Sequence, residues 1–271
     1  MDDGTMETAA LRIGCKVNLT LRITGVRPNG WHELDTVFLP LDEPSDTLRL
    51  ALRPGGGLTL HCAEPGIDPE NNTLTKAYRL FAEASGFRPG VEAVLEKGIP
   101  HGAGLGGGSA DAAALLGWLN ARAPEPLSLP ELVGLAARIG ADVPFALLGG
   151  TCRVRGVGDL MKALPPCPDC WFVVAMPSVG VSTPEAFARY DTMGSPVHPD
   201  CEAQEQAIRD CNLAGVCAAG GNALEHCSGA VETPAICKTL REHGAVMAQM
   251  TGSGAAVFGI FDDENAARSA V

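Results

Sequence analysis

The first half of the chain alternates hydrophobic and polar residues over several short segments, as β-strands do. The segment LRIGCKVNLTLRITG, residues 11–25, follows this alternation over much of its length, which predicts a strand. The turn residues RPNG at 27–30 come directly after it. The same reasoning predicts four more extended segments in this half, namely HELDTVFLPL, DTLRLAL, GGLTLHC and VEAVLEK.

Three helices are predicted among and after these strands. Residues 72–86, NTLTKAYRLFAEASG, carry apolar side chains at helical spacing and end in a glycine, which is typical of a helix terminus. The alanine-rich segment SADAAALLGWLNAR follows a run of glycines. Residues 128–140 begin with Ser128 and have Glu131 three positions later, which is the pattern of a capping box.

The pattern changes near residue 155. The segment WFVVAM at 171–176 is predicted to be a buried strand, and residues 245–261 predict two strands around the turn TGSG. Further helices are predicted near 183–190, 202–217 and 231–243. Because each half holds both strands and helices, we predict an α+β fold with two domains, 1–155 and 156–271.

Composition and charge narrow the class of protein. The chain has 271 residues, 46% hydrophobic and 19% charged, which is enough apolar material for a substantial core. Its formal net charge of −12 argues against a nucleic-acid partner, which usually needs a basic face. The acidic start MDDGTMETAA lacks the features of a signal peptide, and no stretch approaches the roughly 18 apolar residues of a membrane span. We therefore expect a cytoplasmic protein without a membrane partner.

Ten cysteines are present, and Cys167 and Cys170 in CPDC have the spacing of metal ligands. A structural zinc site normally needs a second such pair, and Cys211 and Cys217 are too far apart in sequence to supply it. We expect reduced thiols and no metal site, with a metal or redox role for CPDC as the alternative.

The segment KGIPHGAGLGGGSADAA, residues 97–113, has five glycines in the seven positions from 102 to 108. Glycine loses the most backbone entropy on folding, so the run is costly unless the backbone approaches a ligand closely. A dinucleotide fingerprint would follow the first strand of a βαβ unit, which this segment does not. The Walker A pattern fails because Gly108 stands at its lysine, and the protein-kinase loop fails because Ser109 replaces its valine.

A glycine turn that leads into a helix offers the unpaired N–H groups of the helix N-terminus to a phosphate. The segment therefore predicts a phosphate-binding loop, and a plain turn without a ligand is the alternative.

Three stretches, in this order, resemble the signatures of the GHMP kinases, the family of galactokinase, homoserine kinase and mevalonate kinase. They are LRIGCKVNLTLRITGVRPNGWHELDTVF, PHGAGLGGGSADAA and MAQMTGSGAAVFGIF. The resemblance covers nearly the whole chain. It implies an N-terminal nucleotide-binding α/β sandwich and a C-terminal ferredoxin-like α+β domain. It also implies phosphorylation of a small molecule by ATP, with Mg²⁺ on the ATP phosphates. The segment NGWHELDT is similar to members that act on a cytidylyl substrate.

The resemblance assigns catalytic roles to two residues. Asp142, in GADVPF, matches the general base that takes the proton of the attacking hydroxyl, although its spacing alone favours a helix-cap aspartate. Lys16, in CKVN, matches the lysine that keeps Asp142 ionised and offsets charge on the transferred phosphoryl group. A lone lysine on a strand is usually a solvated residue. Asn18 lies two positions further on the same strand face and matches a substrate contact.

The same resemblance implies a slot for the cytosine base. Trp31 and His32 match an aromatic residue that stacks on cytosine and a histidine that hydrogen-bonds to its edge. The usual first residue is tyrosine, so the larger Trp31 implies a different pocket shape. Phe187 matches the second wall, while helical periodicity alone equally supports a core residue. The loop expected near the substrate diphosphate comprises Thr251, Gly252, Ser253 and Gly254.

Other residues match the nucleotide-binding positions. Asn72 and Lys97 match the adenine end, and His101 stands where an apolar residue is expected. The loop residues expected to bind ATP are Pro100, His101, Gly102, Ala103, Gly104, Leu105, Gly106, Gly107, Gly108, Ser109 and Ala110. No carboxylate stands out as a ligand of Mg²⁺.

Three other functions remain open. A sister GHMP kinase would act on homoserine, mevalonate or a sugar and would not bind cytidine nucleotides. A catalytically silent nucleotide-binding protein is disfavoured by the presence of Lys16 and Asp142. A metal-binding module would carry stoichiometric zinc or iron on the cysteines of the second half.

The family pattern continues for a further strand beyond Val271, so the second domain is either naturally short or truncated. For the assembly we expect a monomer or a weak homodimer.

Overall fold

The computed structural model describes residues 8–178 and 180–271. The chain divides into two compact units that are discontinuous in sequence. The first unit comprises the chain up to Cys15, Asp42–Ile99 and Gly106–Leu148, and the second comprises Lys16–Leu41, Pro100–Leu105 and the chain from Gly149 onward. Strands β1 (Thr8–Val26) and β2 (His32–Arg53) contribute residues to both units. The predicted domain boundary near residue 155 stays a prediction.

The first unit contains a sheet layer in which β4 (Gly90–Glu96) lies between β3 (Gly57–Cys62) and β2. β4 pairs in parallel with β3 and antiparallel with β2, where Leu48 lies opposite Leu95. The helices of this unit are α1 (Thr73–Ser85), α2 (Gly107–Asn120), α3 (Leu129–Ile139) and α4 (Val143–Leu148). As predicted, α1 ends at a glycine, Gly86, in the left-handed conformation.

The core of the first unit is built from one face of its strands and the apolar faces of its helices. Among its fully buried side chains are Leu48, Leu50, Leu74, Phe81, Leu115, Leu116 and Leu119. Each such burial contributes about 1.5–3 kcal/mol of transfer free energy, and Leu115, Leu116 and Leu119 hold α2 in this core.

The second unit contains shorter strands. These are β5 (Cys152–Gly156), β6 (Leu160–Ala163), β7 (Trp171–Ala175), β8 (Gly221–Asn222), β9 (Met247–Met250) and β10 (Val257–Phe261). β10 lies between β7 and β9 and is antiparallel to both, with Val257 opposite Ala175 and Met250. β5 pairs antiparallel with β2 and β6, and β8 pairs in parallel with β1.

The helices of the second unit are α5 (Thr183–Met193), α6 (Cys201–Arg209), α7 (Leu213–Ala219), α8 (Thr233–Glu242) and α9 (Glu264–Ser269). A hydrophobic cluster that includes Leu240, Val257 and Phe261 packs α8 against the three-stranded sheet. The mixture of strands and helices in both units confirms the predicted α+β class.

Two segments differ from the sequence prediction. HELDTVFLPL and DTLRLAL are one continuous strand, β2, because Pro44 lies between the parts of β2 that pair with β5 and with β4 and breaks neither ladder. The helix predicted over 202–217 is instead the pair α6 and α7. Cys211 has a φ of 52°, in the left-handed region, and Asn212 caps α7 by accepting a hydrogen bond from Gly215 N.

Strand β7 is less buried than predicted, because Trp171 is 39% exposed and Val173 is the one residue of the strand that is buried. The short elements α4, α9, β5, β6 and β8 were not predicted. Each has six residues or fewer, too few for hydrophobic periodicity to be recognised. Within residues 8–178 and 180–271, no helix combines the length and apolar character that a bilayer crossing requires.

Candidate active site

The first turn of α2 presents the features expected of a phosphate-binding loop. Gly106 precedes the helix with a φ of 73°, and no side chain caps the helix N-terminus. The carbonyl of Gly106 accepts hydrogen bonds from Ser109 N and Ala110 N at 3.1 and 3.0 Å. Gly107 and Gly108 come too early in the helix for their N–H groups to bond within it, so these groups and the helix dipole can hold an anion.

Close packing in the first unit explains why α2 starts with a glycine, Gly107. A Cβ on Gly107 would lie 2.8 Å from Ile99 Cγ2, which is fully buried. The Thr73 hydroxyl donates to the carbonyl of Gly108 at 2.7 Å. The start of α2 is therefore held by the chain that follows β4 and by the start of α1.

The second unit holds the other part of the glycine segment, Pro100–Leu105, against the loop that follows β9. A Cβ on Gly104, whose φ is 77°, would lie 2.3 Å from Thr251 O. A Cβ on Gly252 would lie 2.8 Å from Gly104 O, and Ala256 N donates to Ala103 O at 3.1 Å. The structure thus brings together two loops that the sequence had marked separately.

Lys16 and Asn18 join these loops to β1 within the second unit. The Lys16 side chain is buried and donates to Gly104 O and to Asn18 Oδ1, both at 2.8 Å, while its Nζ lies 4.9 Å from the centre of the Phe38 ring. Asn18 Oδ1 also accepts from Gly252 N at 2.9 Å. Lys16 is therefore not a solvated surface residue. It binds the glycine segment, and Asn18 binds both Lys16 and the loop after β9.

Further hydrogen bonds fix the loop after β9. Thr251 is fully buried, and its hydroxyl accepts from Asn18 N at 3.0 Å. Asn222 Nδ2 donates to Met250 O at 2.9 Å and to Gly252 O at 2.8 Å. Sequence analysis missed Asn222, because nothing in the local segment GGN marks it as a loop-binding side chain.

The remaining predicted residues of this loop are also placed. The hydroxyls of Ser253 and Thr183 lie 2.6 Å apart, which joins the loop to the start of α5. Gly254 has a φ of 96°, and a Cβ there would lie 2.6 Å from Met250 Sδ.

Asp142 directly precedes α4, and its carbonyl accepts from Ala146 N at 3.1 Å. It is half-buried and belongs to the first unit, whereas Lys16 belongs to the second. The pairing of Lys16 with Asp142 stays a prediction.

The residues predicted to bind cytosine are partly brought together in the second unit. The ring centres of His32 and Phe187 are 4.6 Å apart, and His32 Nε2 lies 2.7 Å from Asp191 Oδ1. Tyr190 meets the His32 ring edge-on at 6.3 Å. Phe187, Tyr190 and Asp191 lie on one face of α5, at spacings of three and four residues. Trp31 is 59% exposed, and no ring contact involving it is found within the described residues.

Asp191 and Tyr190 are residues of this group that sequence analysis missed. The signal that could have found them is their position on α5, since both lie one turn beyond Phe187 on the same helical face.

Asn72 caps α1: its Oδ1 accepts from Thr75 N at 3.0 Å, and its Nδ2 donates to Asp68 O at 2.7 Å. Capping α1 is a structural role that Asn72 has without any ligand. Its place at the adenine end stays a prediction. Pro100, His101 and Gly102 are exposed.

Lys97 lies in a buried cluster of the first unit. Its ammonium group contacts Asp46 Oδ2 and lies 3.0 Å from Asp111 Oδ2, and the three side chains are at most 6% exposed. Burial raises the pKa of Asp111 to about 7; Lys97 opposes this shift and Asp46 reinforces it. Burial lowers the pKa of Lys97, but Asp111 and Asp46 outweigh it, so the net shift is upward. Lys97 therefore does not extend its side chain into solvent.

The ten cysteines all lie within the described residues, and none forms a disulfide. Within the part of the chain that the structure describes, no three His, Cys, Asp or Glu side chains are grouped so as to hold a metal ion.

Comparisons with protein-family models and with named relatives agree with these features. Residues 72–150 match the model of the GHMP kinase N-terminal domain, and residues 232–271 match that of the GHMP kinase C-terminal domain. A protein of Nitratidesulfovibrio vulgaris (strain DP4) is 43% identical over 94% of this chain and 91% of its own length. The chain belongs to the GHMP kinase family, as its three motifs predicted. It is accordingly an ATP-dependent kinase of a small molecule.

The relative from Nitratidesulfovibrio vulgaris is named 4-diphosphocytidyl-2-C-methyl-D-erythritol kinase. A protein of Solidesulfovibrio magneticus with the same name is 40% identical over 94% of this chain and 89% of its own length. A crystal structure of 4-(cytidine 5'-diphospho)-2C-methyl-D-erythritol kinase is similar with a TM-score of 0.78 and 35% identity, over 97% of this chain and 93% of that chain.

Proposed function

We propose that the chain transfers the γ-phosphoryl group of ATP to the 2-hydroxyl of 4-diphosphocytidyl-2-C-methyl-D-erythritol, in the non-mevalonate route to isoprenoid precursors. The observation that carries this proposal is the identity of 40–43%, over 94% of the chain, with proteins named for this activity. The group formed by His32, Phe187 and Asp191 supports it, because it offers an aromatic face and hydrogen-bonding groups for a base.

The phosphate end of the site is assigned to the first turn of α2. Its uncapped N–H groups and the glycines Gly106–Gly108 fit the oxygen atoms of a triphosphate, since no Cβ blocks close approach of the backbone. When bound, Mg²⁺ neutralises charge on the β- and γ-phosphates. We propose that it arrives with ATP, because Mg²⁺ usually keeps several waters and needs few protein carboxylates.

The chemical step is assigned to Asp142 and Lys16. Phosphoryl transfer depends mainly on the positioning of the reactants and on charge stabilisation, and the attacking hydroxyl must lose a proton. Asp142 would accept that proton as general base. Lys16 is held by Gly104 O and Asn18 Oδ1, so its charge is fixed in the second unit, where it would offset charge on the transferred group.

The cytidylyl end is assigned to the second unit. Phe187 would stack on the cytosine, and His32 would hydrogen-bond to its edge, with Trp31 as the other aromatic wall. The loop Thr251–Gly254 would lie along the diphosphate, where the hydroxyl of Ser253 and the backbone of Gly252 are available. The proposal also includes a monomer or weak homodimer and a cytoplasmic location. Sedimentation velocity measures the oligomeric state.

The test is ATP turnover, followed as ADP release, with Mg²⁺ and 4-diphosphocytidyl-2-C-methyl-D-erythritol. Homoserine, mevalonate and galactose are run beside it as acceptors. Turnover with the cytidylyl acceptor alone, and inhibition by cytidine nucleotides, is the expected result. Turnover with one of the other acceptors would replace the proposed substrate and leave the family membership intact.

A further inference from the structure

The buried cluster of Asp46, Lys97 and Asp111 connects three elements of the first unit. Asp46 lies in β2, Lys97 directly follows β4, and Asp111 lies in the first half of α2. The ammonium group of Lys97 contacts both carboxylates, and Asp46 Oδ1 accepts from Gly98 N and Ile99 N, each at 2.8 Å. One lysine and two carboxylates therefore join a strand, a loop and a helix.

This cluster packs directly against the start of α2. A Cβ on Gly107, the first residue of the helix, would lie 3.3 Å from Asp46 Oδ2 and 2.8 Å from Ile99 Cγ2. Gly98 has no space for a side chain either, since a Cβ there would lie 2.2 Å from Ser45 O. Any movement of Asp46 or Ile99 is therefore transmitted to the backbone of the first turn.

The charges of the cluster do not balance when all three groups are ionised. Two carboxylates and one ammonium group leave one negative charge, and the side chains are 0%, 3% and 6% exposed. Asp111 Oδ1 has no hydrogen-bond partner within the described residues. The charged groups that act on Asp111 are Lys97 and Asp46. An unpaired buried charge is costly, so a proton on Asp111 makes the cluster neutral.

We propose that Lys97 is a positioning residue: by bridging Asp46 and Asp111 it fixes the first turn of α2 for the phosphates of ATP, and its ammonium group does not contact the nucleotide. The positioning role rests on the proposed function in one respect, because it takes the first turn of α2 as the site that binds the phosphates. Loss of the proton from Asp111 adds a negative charge beside the turn, so phosphate binding weakens as Asp111 ionises.

The experiment measures ADP and ATP binding to the full chain by isothermal titration calorimetry, with melting curves to verify folding. Lys97→Met is expected to weaken binding by about tenfold or more, because two buried carboxylates lose their partner. Asp46→Asn is expected to weaken binding several-fold although Asp46 is fully buried and cannot reach a ligand. In turnover assays both variants raise the KM for ATP more than they lower kcat.

The matched control is Arg49→Met, which breaks an exposed ion pair with Glu96 between the same two strands. It is expected to bind nucleotide like the wild type. If Lys97→Met fails to fold, the double variant of Lys97→Met with Asp46→Asn removes the ammonium group together with the carboxylate that it pairs with, and its binding is compared with that of Asp46→Asn alone.

Asp111→Asn tests the charge of the cluster. Asparagine resembles the protonated carboxyl, so this variant should bind like the wild type at about pH 6 and more tightly than the wild type at about pH 8. Comparing the two proteins at each pH cancels the titration of ATP itself. Identical pH profiles would overturn the role of the proton.

Two other results of the binding measurements would overturn the positioning role of Lys97. If Lys97→Met weakens binding while Asp46→Asn does not, Lys97 contacts the nucleotide directly and the positioning role is wrong. If neither weakens binding, the cluster serves stability alone. Because nucleotide binding needs no acceptor, a lack of turnover with the cytidylyl substrate counts against the proposed function and leaves this test unaffected.

Discussion

Gly104 and Thr251 meet through their backbones in the second unit: a Cβ on Gly104 would lie 2.3 Å from Thr251 O. The two residues are far apart in sequence and belong to the second and third motifs. Lys16 donates to Gly104 O, and Asn18 binds Thr251 and Gly252, so β1 of the first motif completes the contact. The three motifs are thus parts of one hydrogen-bonded structure.

The first prediction concerns that contact. Gly104→Ala should destabilise the fold by about 1–3 kcal/mol, because Gly104 has a φ of 77° and the new Cβ would meet a backbone oxygen. Turnover should fall together with stability, since the loops that contain Gly104 and Thr251 must both shift. Thermal unfolding and ADP release measure the two effects.

The control for this variant is Gly117→Ala. Gly117 lies within α2 with nothing near its Cβ position, so alanine should be neutral or stabilise by up to about 1 kcal/mol. Equal melting temperatures for the two variants would contradict the close approach at Gly104.

The second prediction concerns Asp142. Asp142→Asn should lower kcat by about 10²-fold or more, because the amide cannot accept the proton of the attacking hydroxyl. Affinity for ATP should change little. Single-turnover kinetics and ADP titration measure the two quantities, and Asp42→Asn, an exposed change in β2, serves as the control. Near-normal turnover would remove Asp142 from the chemical step.

The third prediction concerns the cytidylyl end. Asp191→Asn keeps the size of the side chain but weakens its 2.7 Å contact with His32 Nε2, so His32 is less firmly oriented. The KM for the cytidylyl substrate should rise about five- to tenfold with kcat nearly unchanged, as expected for the loss of about 1 kcal/mol.

Glu185→Gln, on the same helix and paired with Arg189, should leave the KM for the cytidylyl substrate unaltered. If Asp191→Asn behaves like this control, the His32–Asp191 pair has no part in substrate binding.

The sequence alone could predict those features that depend on neighbours along the chain. The capping box of Ser128 and Glu131 forms as expected, because a box needs only residues three positions apart. The helix after the glycines was predicted for the same reason, but from Ser109 onward, and α2 begins two residues earlier, at Gly107.

Features that depend on distant residues could not be predicted. Lys97 matched a nucleotide-binding position, yet its partner Asp46 lies 51 residues away and in a different strand. Asn18 lies 233 residues from Thr251, and no local pattern indicates that contact. β2 was divided into two because the turn-forming residues around Pro44 were judged without knowledge of the strands that pair on either side of them.

The last prediction is the pH dependence of stability. Burial raises the pKa of Asp111 to about 7 in the folded chain, while an unfolded aspartate titrates near about 3.9. Between these values the folded state binds a proton that the unfolded state does not, so the free energy of unfolding decreases as the pH rises from about 4 to about 7. The stabilisation from this group is fully present below about pH 4 and is lost above about pH 7. Its slope is at most about 1.4 kcal/mol per pH unit.

Other carboxylates titrate in the same range, so the informative quantity is the difference between the wild type and Asp111→Asn. Because asparagine carries no proton to lose, the variant lacks this contribution, and its stability relative to the wild type should rise as the pH is raised from about 5 to about 8. Urea unfolding at a series of pH values measures the difference. A difference that is constant with pH would mean that Asp111 is ionised throughout, with Lys97 compensating its charge.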